Sequence, residues 1–308
     1  MDDSTVVMVG TLRPELVARL EREYAARELG QLAAEEAARA RVAVTSGVWG
    51  VRAEHLDRLP ALEAIVNFGV GYDATDVAEA ARRGVVVSNT PDVLTDCVAD
   101  AAVGLVIDVM RGLSAADRFV RRGEWASGRT PALARRVSGS RVGIVGLGRI
   151  GLAIARRLEG FGTTISYHNR RARTDVSYAH VRDVETLARD SDVLVLAAAG
   201  GDGSRHLVDA AVLDALGPRG FLVNVARGSV VDEDALVAAL EAGRIAGAGL
   251  DVFAAEPHVP SALLGRDDVV LLPHLGSATV ETRQAMADLT LANVAAYLDE
   301  GRLLTPVG

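Results

Sequence analysis

The chain has 308 residues and a mass of 32.3 kDa, and its 49% hydrophobic and 24% charged residues are typical of a globular protein with room for two domains. All 33 basic residues are arginine, which excludes chemistry that needs a lysine, such as Schiff-base formation or a phosphate-binding lysine loop. The net charge of −8 argues against nucleic acids and anionic membranes as partners, and the single Cys97 excludes disulfides and multi-cysteine zinc sites.

Short apolar runs alternate with amphipathic segments, a pattern typical of stacked strand–helix–strand units. The predicted strands are, in chain order, Val6–Val9, Val42–Thr45, Ala64–Phe68, Val85–Ser88, Val142–Val145, Thr164–His168, Val193–Ala197, Leu222–Val225, Ala248–Leu250 and Val269–Leu272. The predicted helices include Pro14–Arg27, Cys97–Arg121, Ile150–Gly160, Glu233–Ala242 and Val280–Leu298. Continuous Val, Ile and Leu runs of this length suit parallel strands that are covered on both faces.

The long predicted helix Cys97–Arg121 separates the strands into two sets. The first set is too short for a complete large domain, and the helix after Ser277 could return to it. We therefore predict an α/β fold in which residues 97–278 form a doubly wound parallel sheet that is inserted into a second α/β domain, made of residues 1–96 and 279–308.

A glycine-rich run, Gly146-Leu147-Gly148-Arg149-Ile150-Gly151, lies between a predicted strand and a predicted helix, the context that a dinucleotide-binding fingerprint requires. In that fingerprint Gly146 permits the tight turn, Gly148 lets a pyrophosphate approach the backbone, and Gly151 lets helix and strand pack closely. The helix N-terminus at Arg149 and Ile150 supplies N–H groups and partial positive charge. A tight turn without a ligand, in a chain with 31 glycines, is the alternative.

The choice between NAD and NADP depends on the residues after the next strand, Thr164–His168. An NAD site usually has a carboxylate there, about 20 residues beyond the first glycine, which binds the ribose 2′-hydroxyl. This chain has Asn169, Arg170 and Arg171 instead, and guanidinium groups can bind a 2′-phosphate. We predict a preference for NADPH, with NAD possible. A solvated basic loop is the alternative.

Several further motifs occur in an order that resembles the D-2-hydroxyacid dehydrogenases. Within that family the chain is most similar to the glyoxylate/hydroxypyruvate and hydroxyphenylpyruvate reductases, many of which prefer NADPH. The motifs are Gly69–Asp73, Ser88–Thr95, Val142–Gly151, Asn224–Gly228, Gly249–Phe253 with Glu256-Pro257, and Pro273–Ser277.

The resemblance implies that residues 97–278 form a Rossmann-type, nucleotide-binding domain and that residues 1–96 and 279–308 form a flavodoxin-like substrate domain. It also implies a role for each matching residue. Arg227 would hold the substrate carboxylate and carbonyl oxygen, and Glu256 and His274 would form the acid–base pair. The backbone N–H groups of Val70 and Gly71 would receive the substrate carboxylate. Asp251 would lie near the nicotinamide carboxamide, and the implied cofactor contacts at this end of the site are Val225, Asp251, His274 and Gly276.

The loop after the predicted strand Val193–Ala197 departs from the family. A Pro-Thr pair is usual there, whereas this chain has Ala198-Ala199-Gly200-Gly201-Asp202. The cofactor contacts of this loop therefore stay open.

The chemistry of 2-oxo acid reduction explains why these residue types are needed. A histidine such as His274 can donate a proton near neutral pH, and Glu256 would orient its ring and favour the imidazolium. Arg227 presents a rigid fork of donors that matches a carboxylate and stays charged. Each of the three has a structural alternative when considered alone. His274 would be a histidine whose hydrogen bonds are made within the fold, Glu256 would be a carboxylate in a turn, and Arg227 would be an arginine that caps a loop.

The sequence thus predicts an NADPH-dependent oxidoreductase that reduces small 2-oxo acids to D-2-hydroxy acids. The alternatives are a formate- or phosphite-type dehydrogenase on the same fold and a dinucleotide-sensing, corepressor-like binding protein. The other histidines lack ligand spacing, so no metal site is expected. The resemblance implies a homodimer. One cysteine, the acidic start Met1-Asp2-Asp3 and the lack of a long apolar run predict a cytoplasmic protein.

Overall fold

The computed structural model describes residues 5–307, so the acidic start Met1–Asp3 lies outside the described residues. The strands of the described chain are β1 Val6–Met8, β2 Arg27–Glu28, β3 Val42–Ser46, β4 Ala64–Phe68, β5 Val86–Ser88, β6 Arg141–Val145, β7 Thr164–His168, β8 Ala179–His180, β9 Val193–Leu196, β10 Phe221–Asn224, β11 Gly247–Leu250 and β12 Val269–Leu271. Its α-helices are α1 Pro14–Tyr24, α2 Ala34–Ala37, α3 Ala53–Arg58, α4 Val77–Arg82, α5 Thr95–Arg111, α6 Leu113–Arg121, α7 Arg149–Glu159, α8 Val184–Arg189, α9 Ala210–Leu216, α10 Glu233–Glu241, α11 Ser261–Leu264 and α12 Val280–Glu300.

The chain divides into two compact units, one made of the residues up to Leu94 and from Thr279 onwards, the other of Thr95–Ala278. The first unit has a parallel sheet in the order β2-β1-β3-β4-β5, which is the flavodoxin-like order. Its three central strands are almost entirely buried and mostly apolar, as strands covered on both faces should be. The last helix, α12, packs against β4, so the end of the chain returns to this unit.

The second unit has a parallel sheet in the order β12-β11-β10-β9-β6-β7-β8. This is the doubly wound order of a dinucleotide-binding domain, with β12 as one further strand beyond the usual six. The strand order reverses between β6 and β9, and ligands of such sheets bind outside the carboxyl ends of the strands, at that switch point. The functional residues of this unit should therefore lie in the loops that follow its strands.

The predicted strands all form, and each of their ends lies within one residue of the prediction. Two strands were not predicted, β2 and β8, because each has only two residues, lies at a sheet edge and carries no buried run. The prediction that α1 extends to Arg27 was wrong. Ala25 takes a left-handed conformation with φ +49°, which ends the helix, and Arg27 pairs with β1.

The single helix predicted over Cys97–Arg121 was also wrong, because the chain forms two helices, α5 and α6, there. Gly112 lies between them with φ +65°, a conformation that glycine adopts without steric cost. The carboxylate of Asp108 accepts hydrogen bonds from the backbone N–H and the hydroxyl of Ser114, at 2.8 and 2.5 Å, and so holds the start of α6. No helix of the described chain combines the length and the apolarity that crossing a bilayer requires.

Candidate active site

The three glycines of the nucleotide motif face different surroundings. A Cβ atom on Gly146, whose φ is +94°, would lie 2.5 Å from the backbone of Ala198, and one on Gly151 would lie 2.1 Å from the carbonyl oxygen of Gly146. A Cβ on Gly148 would meet nothing within 4 Å. Gly146 and Gly151 are therefore needed by the fold, whereas the backbone at Gly148 borders open space that a ligand could approach.

Gly148 caps the N-terminus of α7, which starts at Arg149. The backbone N–H groups of the first helical turn, at Arg149 and Ile150, lie at the positive end of the helix dipole. The first turn carries no acidic residue that would oppose an anion. The turn and helix start therefore fit the pyrophosphate of a dinucleotide.

Side chains of the segment after β7 form hydrogen bonds with this turn. The side-chain oxygen of Asn169 accepts a hydrogen bond from the N–H of Leu147 at 2.7 Å, and Nη1 of Arg173 donates to the carbonyl of Leu147 at 2.9 Å. Arg173 also donates two hydrogen bonds to the carboxylate of Asp175, which fix the arginine side chain. The hydrogen bonding to Arg173 holds the pKa of the Asp175 carboxyl below its usual value. Asn169 thus has a structural task in the turn besides any contact with cofactor.

Arg170 and Arg171 follow Asn169 directly after the end of β7, and both side chains are exposed. Their position is where the adenosine ribose of a dinucleotide lies in this type of sheet. The loop after β9 is also on this edge. There Oγ of Ser204 donates to the carbonyls of Ala199 and Gly201, at 2.7 and 3.0 Å, so the sequence that departs from the family forms an ordered turn.

The three predicted catalytic residues follow three neighbouring strands. Arg227 comes after β10, Glu256 after β11 and His274 after β12, and these strands are adjacent in the sheet. The sheet therefore brings the three side chains to one edge. Arg227 lies near enough that its positive charge contributes to lowering the pKa of Glu256.

His274 and Glu256 form a direct hydrogen bond, with Nδ1 of the ring 2.7 Å from Oε2 of the carboxylate. A carboxylate can only accept, so the geometry requires the proton on Nδ1 and leaves Nε2 as the nitrogen for a substrate. The second carboxylate oxygen, Oε1, accepts the N–H of Phe253 at 3.1 Å. The carboxylate is thereby fixed at both oxygens, and it fixes the ring.

The charge state of Glu256 follows from this environment. Burial raises the pKa of Glu256, but the hydrogen bond and charge of His274, the N–H of Phe253 and the charge of Arg227 together outweigh burial, so the pKa lies below its usual value. Glu256 is therefore an anion at neutral pH, which is the form that stabilises a protonated ring beside it.

The backbone of His274 is held in a left-handed conformation, with φ +52°, by the buried Asp251. The carbonyl of Asp251 accepts the N–H of His274 at 2.9 Å, and its carboxylate accepts the N–H groups of Leu275 and Gly276 at 2.7 and 2.9 Å. Burial raises the pKa of Asp251, although the two N–H groups oppose that shift. Asp251 therefore positions the segment that carries His274.

Arg227 is held through its backbone by Asn224, the last residue of β10. The side-chain amide of Asn224 donates to the carbonyl of Arg227 at 2.9 Å and accepts the N–H of Ala226 at 3.0 Å. At the next residue, Gly228, a Cβ would lie 1.9 Å from the carbonyl carbon of Phe253. Only glycine permits this approach of the loops after β10 and β11, which keeps Arg227 and Glu256 on neighbouring segments.

The remaining predicted residues lie in two places. Val225 follows β10 in the same unit, where it is buried and its N–H donates to Leu196. Val70 and Gly71 belong to the first unit, in the loop after β4. No group of three or more His, Cys, Asp or Glu side chains within residues 5–307 could hold a metal ion.

Sequence reasoning missed the residues that hold the site rather than form it. Asn224 stands inside a matched motif, so its presence was visible although its bonding was not. Arg173 and Asp175 are charged residues of an exposed segment, and nothing in the pattern distinguishes them from solvated surface. Their task is visible only from the hydrogen bonds to Leu147.

Comparison with known proteins agrees with this architecture. The family model described as D-isomer specific 2-hydroxyacid dehydrogenase, NAD binding domain, matches residues 103–276. A glyoxylate/hydroxypyruvate reductase A of Arabidopsis thaliana is 48% identical over 267 residues, which cover 87% of this chain and 85% of that relative. A hydroxyphenylpyruvate reductase of Plectranthus scutellarioides is 50% identical over 258 residues, which cover 84% and 82%.

Among solved structures, an NADPH-dependent glyoxylate/hydroxypyruvate reductase from Sinorhizobium meliloti, in complex with NADP and malonate, superposes with a TM-score of 0.93. It is 44% identical, and the match covers 98% of this chain and 96% of that chain. The predicted resemblance and fold class are confirmed. The chain belongs to the D-isomer specific 2-hydroxyacid dehydrogenases, a family of oxidoreductases.

Proposed function

We propose that this protein is an NADPH-dependent reductase that converts small 2-oxo acids, such as glyoxylate, hydroxypyruvate and arylpyruvates, to D-2-hydroxy acids. The observation that carries the proposal is the 2.7 Å hydrogen bond between His274 and Glu256 beside Arg227, at the carboxyl ends of adjacent strands. The names of the similar reductases support the same substrates.

The reaction needs a hydride at C2, a proton at the carbonyl oxygen and groups that bind the substrate carboxylate. A bound NADPH supplies the hydride. His274 donates the proton from Nε2 to the carbonyl oxygen, and Glu256 holds the ring and stabilises its charge before transfer. Arg227 binds the substrate carboxylate and carbonyl oxygen, and its charge stabilises the negative charge that develops on that oxygen.

The loop of Val70 and Gly71 is proposed to receive the substrate carboxylate with its backbone N–H groups. Its own geometry supports that role, because side chains hold its carbonyls. Asn67 donates to the carbonyls of Gly69 and Gly71, at 3.2 and 2.8 Å, and Asn89 donates to the carbonyl of Val70 at 2.8 Å. A trans peptide places its N–H opposite its C=O, so the N–H groups of Val70 and Gly71 point away from these amides.

Two residues are proposed to select the phosphate of NADPH, Arg170 and Arg171. Replacing both with alanine should raise KM for NADPH by about tenfold for each lost contact, because charged hydrogen bonds at an exposed site fall at the lower end of their range. KM for NADH should change little, and added salt should shrink the difference. Initial rates at varied cofactor concentration measure this. Arg189→Ala, at an exposed arginine of α8, is the matched control.

Equal kcat/KM for NADPH and NADH in the unmodified protein would contradict the proposed phosphate site and leave Arg170 and Arg171 as a solvated loop. Asn169→Asp is a less direct probe than these two arginines, because the Asn169 amide also holds Leu147. A loss of cofactor affinity in that variant would combine the effect of the added negative charge with the effect of any change in the turn at Leu147.

A homodimer is proposed as the assembly. Four large apolar side chains of the second unit are exposed, on α6 and on the segment that follows it: Leu113, Val120, Trp125 and Leu133, the last fully exposed. Exposed apolar side chains mark contacts between subunits where they form a contiguous patch, and we propose that these four contribute to such a patch. Sedimentation of a stable monomer would refute the dimer.

The substrate is tested by a panel of 2-oxo acids with NADPH and NADH side by side, with formate and phosphite tested with NADP⁺. We expect oxidation of NADPH with glyoxylate, hydroxypyruvate or hydroxyphenylpyruvate. Oxidation of formate or phosphite would favour that type of dehydrogenase. Tight NADPH binding without turnover of any 2-oxo acid would favour a dinucleotide-sensing binding protein.

A further inference from the structure

The last residues of the chain pair with β5, in the first unit. Ser88 and Pro306 form an antiparallel bridge, and the N–H of Val307 donates to the carbonyl of Val87 at 2.8 Å. This C-terminal segment, residues 303–307, therefore extends the edge of the sheet at the strand that leads into Asn89 and Thr90.

A chain of hydrogen bonds connects this C-terminal segment to the loop of Val70 and Gly71. The hydroxyl of Thr305 donates to the carbonyl of Asn89 at 2.6 Å, and the N–H of Asn89 donates back to the carbonyl of Thr305 at 3.3 Å. The side-chain amide of Asn89 then donates to the carbonyl of Val70 at 2.8 Å. Asn89 is thus held at its backbone by Thr305 while its side chain holds the loop.

Thr305 is held in turn by Asn293 of α12, whose side chain is fully buried. The amide oxygen of Asn293 accepts the N–H groups of Leu304 and Thr305, at 2.9 and 3.1 Å, and its nitrogen donates to the hydroxyl of Thr305 at 3.0 Å. The hydroxyl proton of Thr305 has two acceptors, the carbonyl of Asn89 at 2.6 Å and the side-chain oxygen of Asn293 at 3.4 Å, and the much shorter distance favours Asn89. The order of donors is therefore fixed from α12 to the loop.

We propose that Asn293, Thr305 and Asn89 are positioning residues for substrate binding. They set the carbonyl of Val70, and the planar peptide then sets the N–H of Gly71 that receives the substrate carboxylate. This inference rests on the proposed function of the Val70–Gly71 loop. It gives the C-terminal segment a task in substrate affinity, although none of its residues is proposed to touch the substrate.

The test is Thr305→Val, which removes the hydroxyl and keeps the shape of the side chain. The N–H groups of the loop bind a carboxylate that is unchanged by the reaction, so their loss weakens ground state and transition state alike. We expect KM for the 2-oxo acid to rise about three- to tenfold, the value of one neutral hydrogen bond, with kcat and KM for NADPH unchanged. Thr305→Ser restores the hydroxyl and should restore KM.

The control is Thr163→Val, which removes a comparable hydroxyl bond, to the carbonyl of Leu158, in the second unit. A purely structural effect would lower the melting temperature in both variants and leave both substrate KM values unchanged. If Thr305→Val does not fold, Asn89→Asp serves instead, because a carboxylate cannot donate to the carbonyl of Val70. An unchanged KM in a folded Thr305→Val or Asn89→Asp protein would overturn the inference.

A binding measurement separates this inference from the proposed reaction. The Kd of oxamate, a 2-oxo acid analogue, is measured by calorimetry on the protein loaded with NADP⁺. A three- to tenfold weaker Kd in Thr305→Val supports the positioning role even if the wild type reduces no 2-oxo acid, in which case the proposed function alone fails. Equal Kd values, or no binding to the wild type, would overturn the positioning role.

Discussion

Replacing His274 with alanine should lower kcat for 2-oxo acid reduction by about 10²–10⁴-fold, which is the usual contribution of a general acid. NADPH affinity should change far less than kcat, because the turn at Gly148, which is proposed to bind the pyrophosphate, lies in another loop and keeps its contacts. Steady-state kinetics and cofactor titration measure the two effects. His258→Ala, at an exposed histidine that is assigned no role, should leave kcat unchanged. A fully active His274→Ala protein would remove His274 from the chemistry.

The pH dependence of stability gives the His274–Glu256 pair a second readout. Because the pKa of Glu256 is lowered, its carboxylate stays charged until the pH falls below the ordinary range of a glutamate. The His274–Glu256 pair therefore stabilises the folded protein fully at pH values above the pKa that this carboxyl has in the unfolded chain. That contribution is lost as the pH falls through the lower pKa of Glu256 in the folded protein. Glu256→Gln has no carboxyl to protonate, so its stability should not fall over this acid range as that of the wild type does. Thermal melts at stepped acid pH measure this, and equal losses of stability in the two proteins would show that the carboxylate does not stabilise the folded pair.

Arg227→Lys should lower kcat/KM for the 2-oxo acid by about 10- to 150-fold, the value of one lost hydrogen bond between charged groups. Lysine keeps the positive charge, but a single ammonium cannot offer the flat pair of donors that a carboxylate accepts. Both kcat and substrate affinity should suffer, because Arg227 is proposed to contact the carboxylate and the developing alkoxide.

The matched control for Arg227→Lys is Arg244→Lys, an arginine of the same unit that pairs with Asp214 at the surface. It should have wild-type kinetics. Near-wild-type kinetics in Arg227→Lys itself would exclude the carboxylate role and would favour the loop-capping alternative, since its Nη1 already donates to the carbonyl of Ala226 at 2.7 Å.

The parts of the fold that were predictable are those whose residues are buried on both faces. Strands such as Ala64–Phe68 and Val193–Leu196 form as the sequence predicts, because a buried, mostly apolar run leaves few alternatives to a central strand. The short edge strands β2 and β8 carry no such run. The break at Gly112 depends on Asp108 bonding Ser114, a contact that an Ala- and Val-rich helical pattern does not reveal.

The site was predictable in its residue types and less so in its contacts. The motif order identified Arg227, Glu256 and His274, but a strand-end position does not reveal that Asp251 holds the N–H groups of Leu275 and Gly276. Such bonds depend on loop conformations, including the left-handed backbone of His274, that local propensity does not favour.

Buried side chains that hold distant segments were the hardest to predict. Asn293 lies in a long helix and Thr305 near the end of the chain, and neither belongs to a motif. Their connection to the Val70 loop arises only when the C-terminal segment pairs with β5, because that pairing brings residues from far apart in the sequence into hydrogen-bond distance.

The central claim is that the chain reduces a 2-oxo acid with NADPH and gives the D-2-hydroxy acid, with His274 as the proton donor. The most direct measurement incubates hydroxypyruvate with NADPH and the wild-type protein, counts the product formed per NADPH oxidised, and resolves its configuration on a chiral column. The account predicts one D-glycerate for each NADPH, and almost none with His274→Ala over the same time. An L or racemic product, or equal conversion by the two proteins, would contradict it.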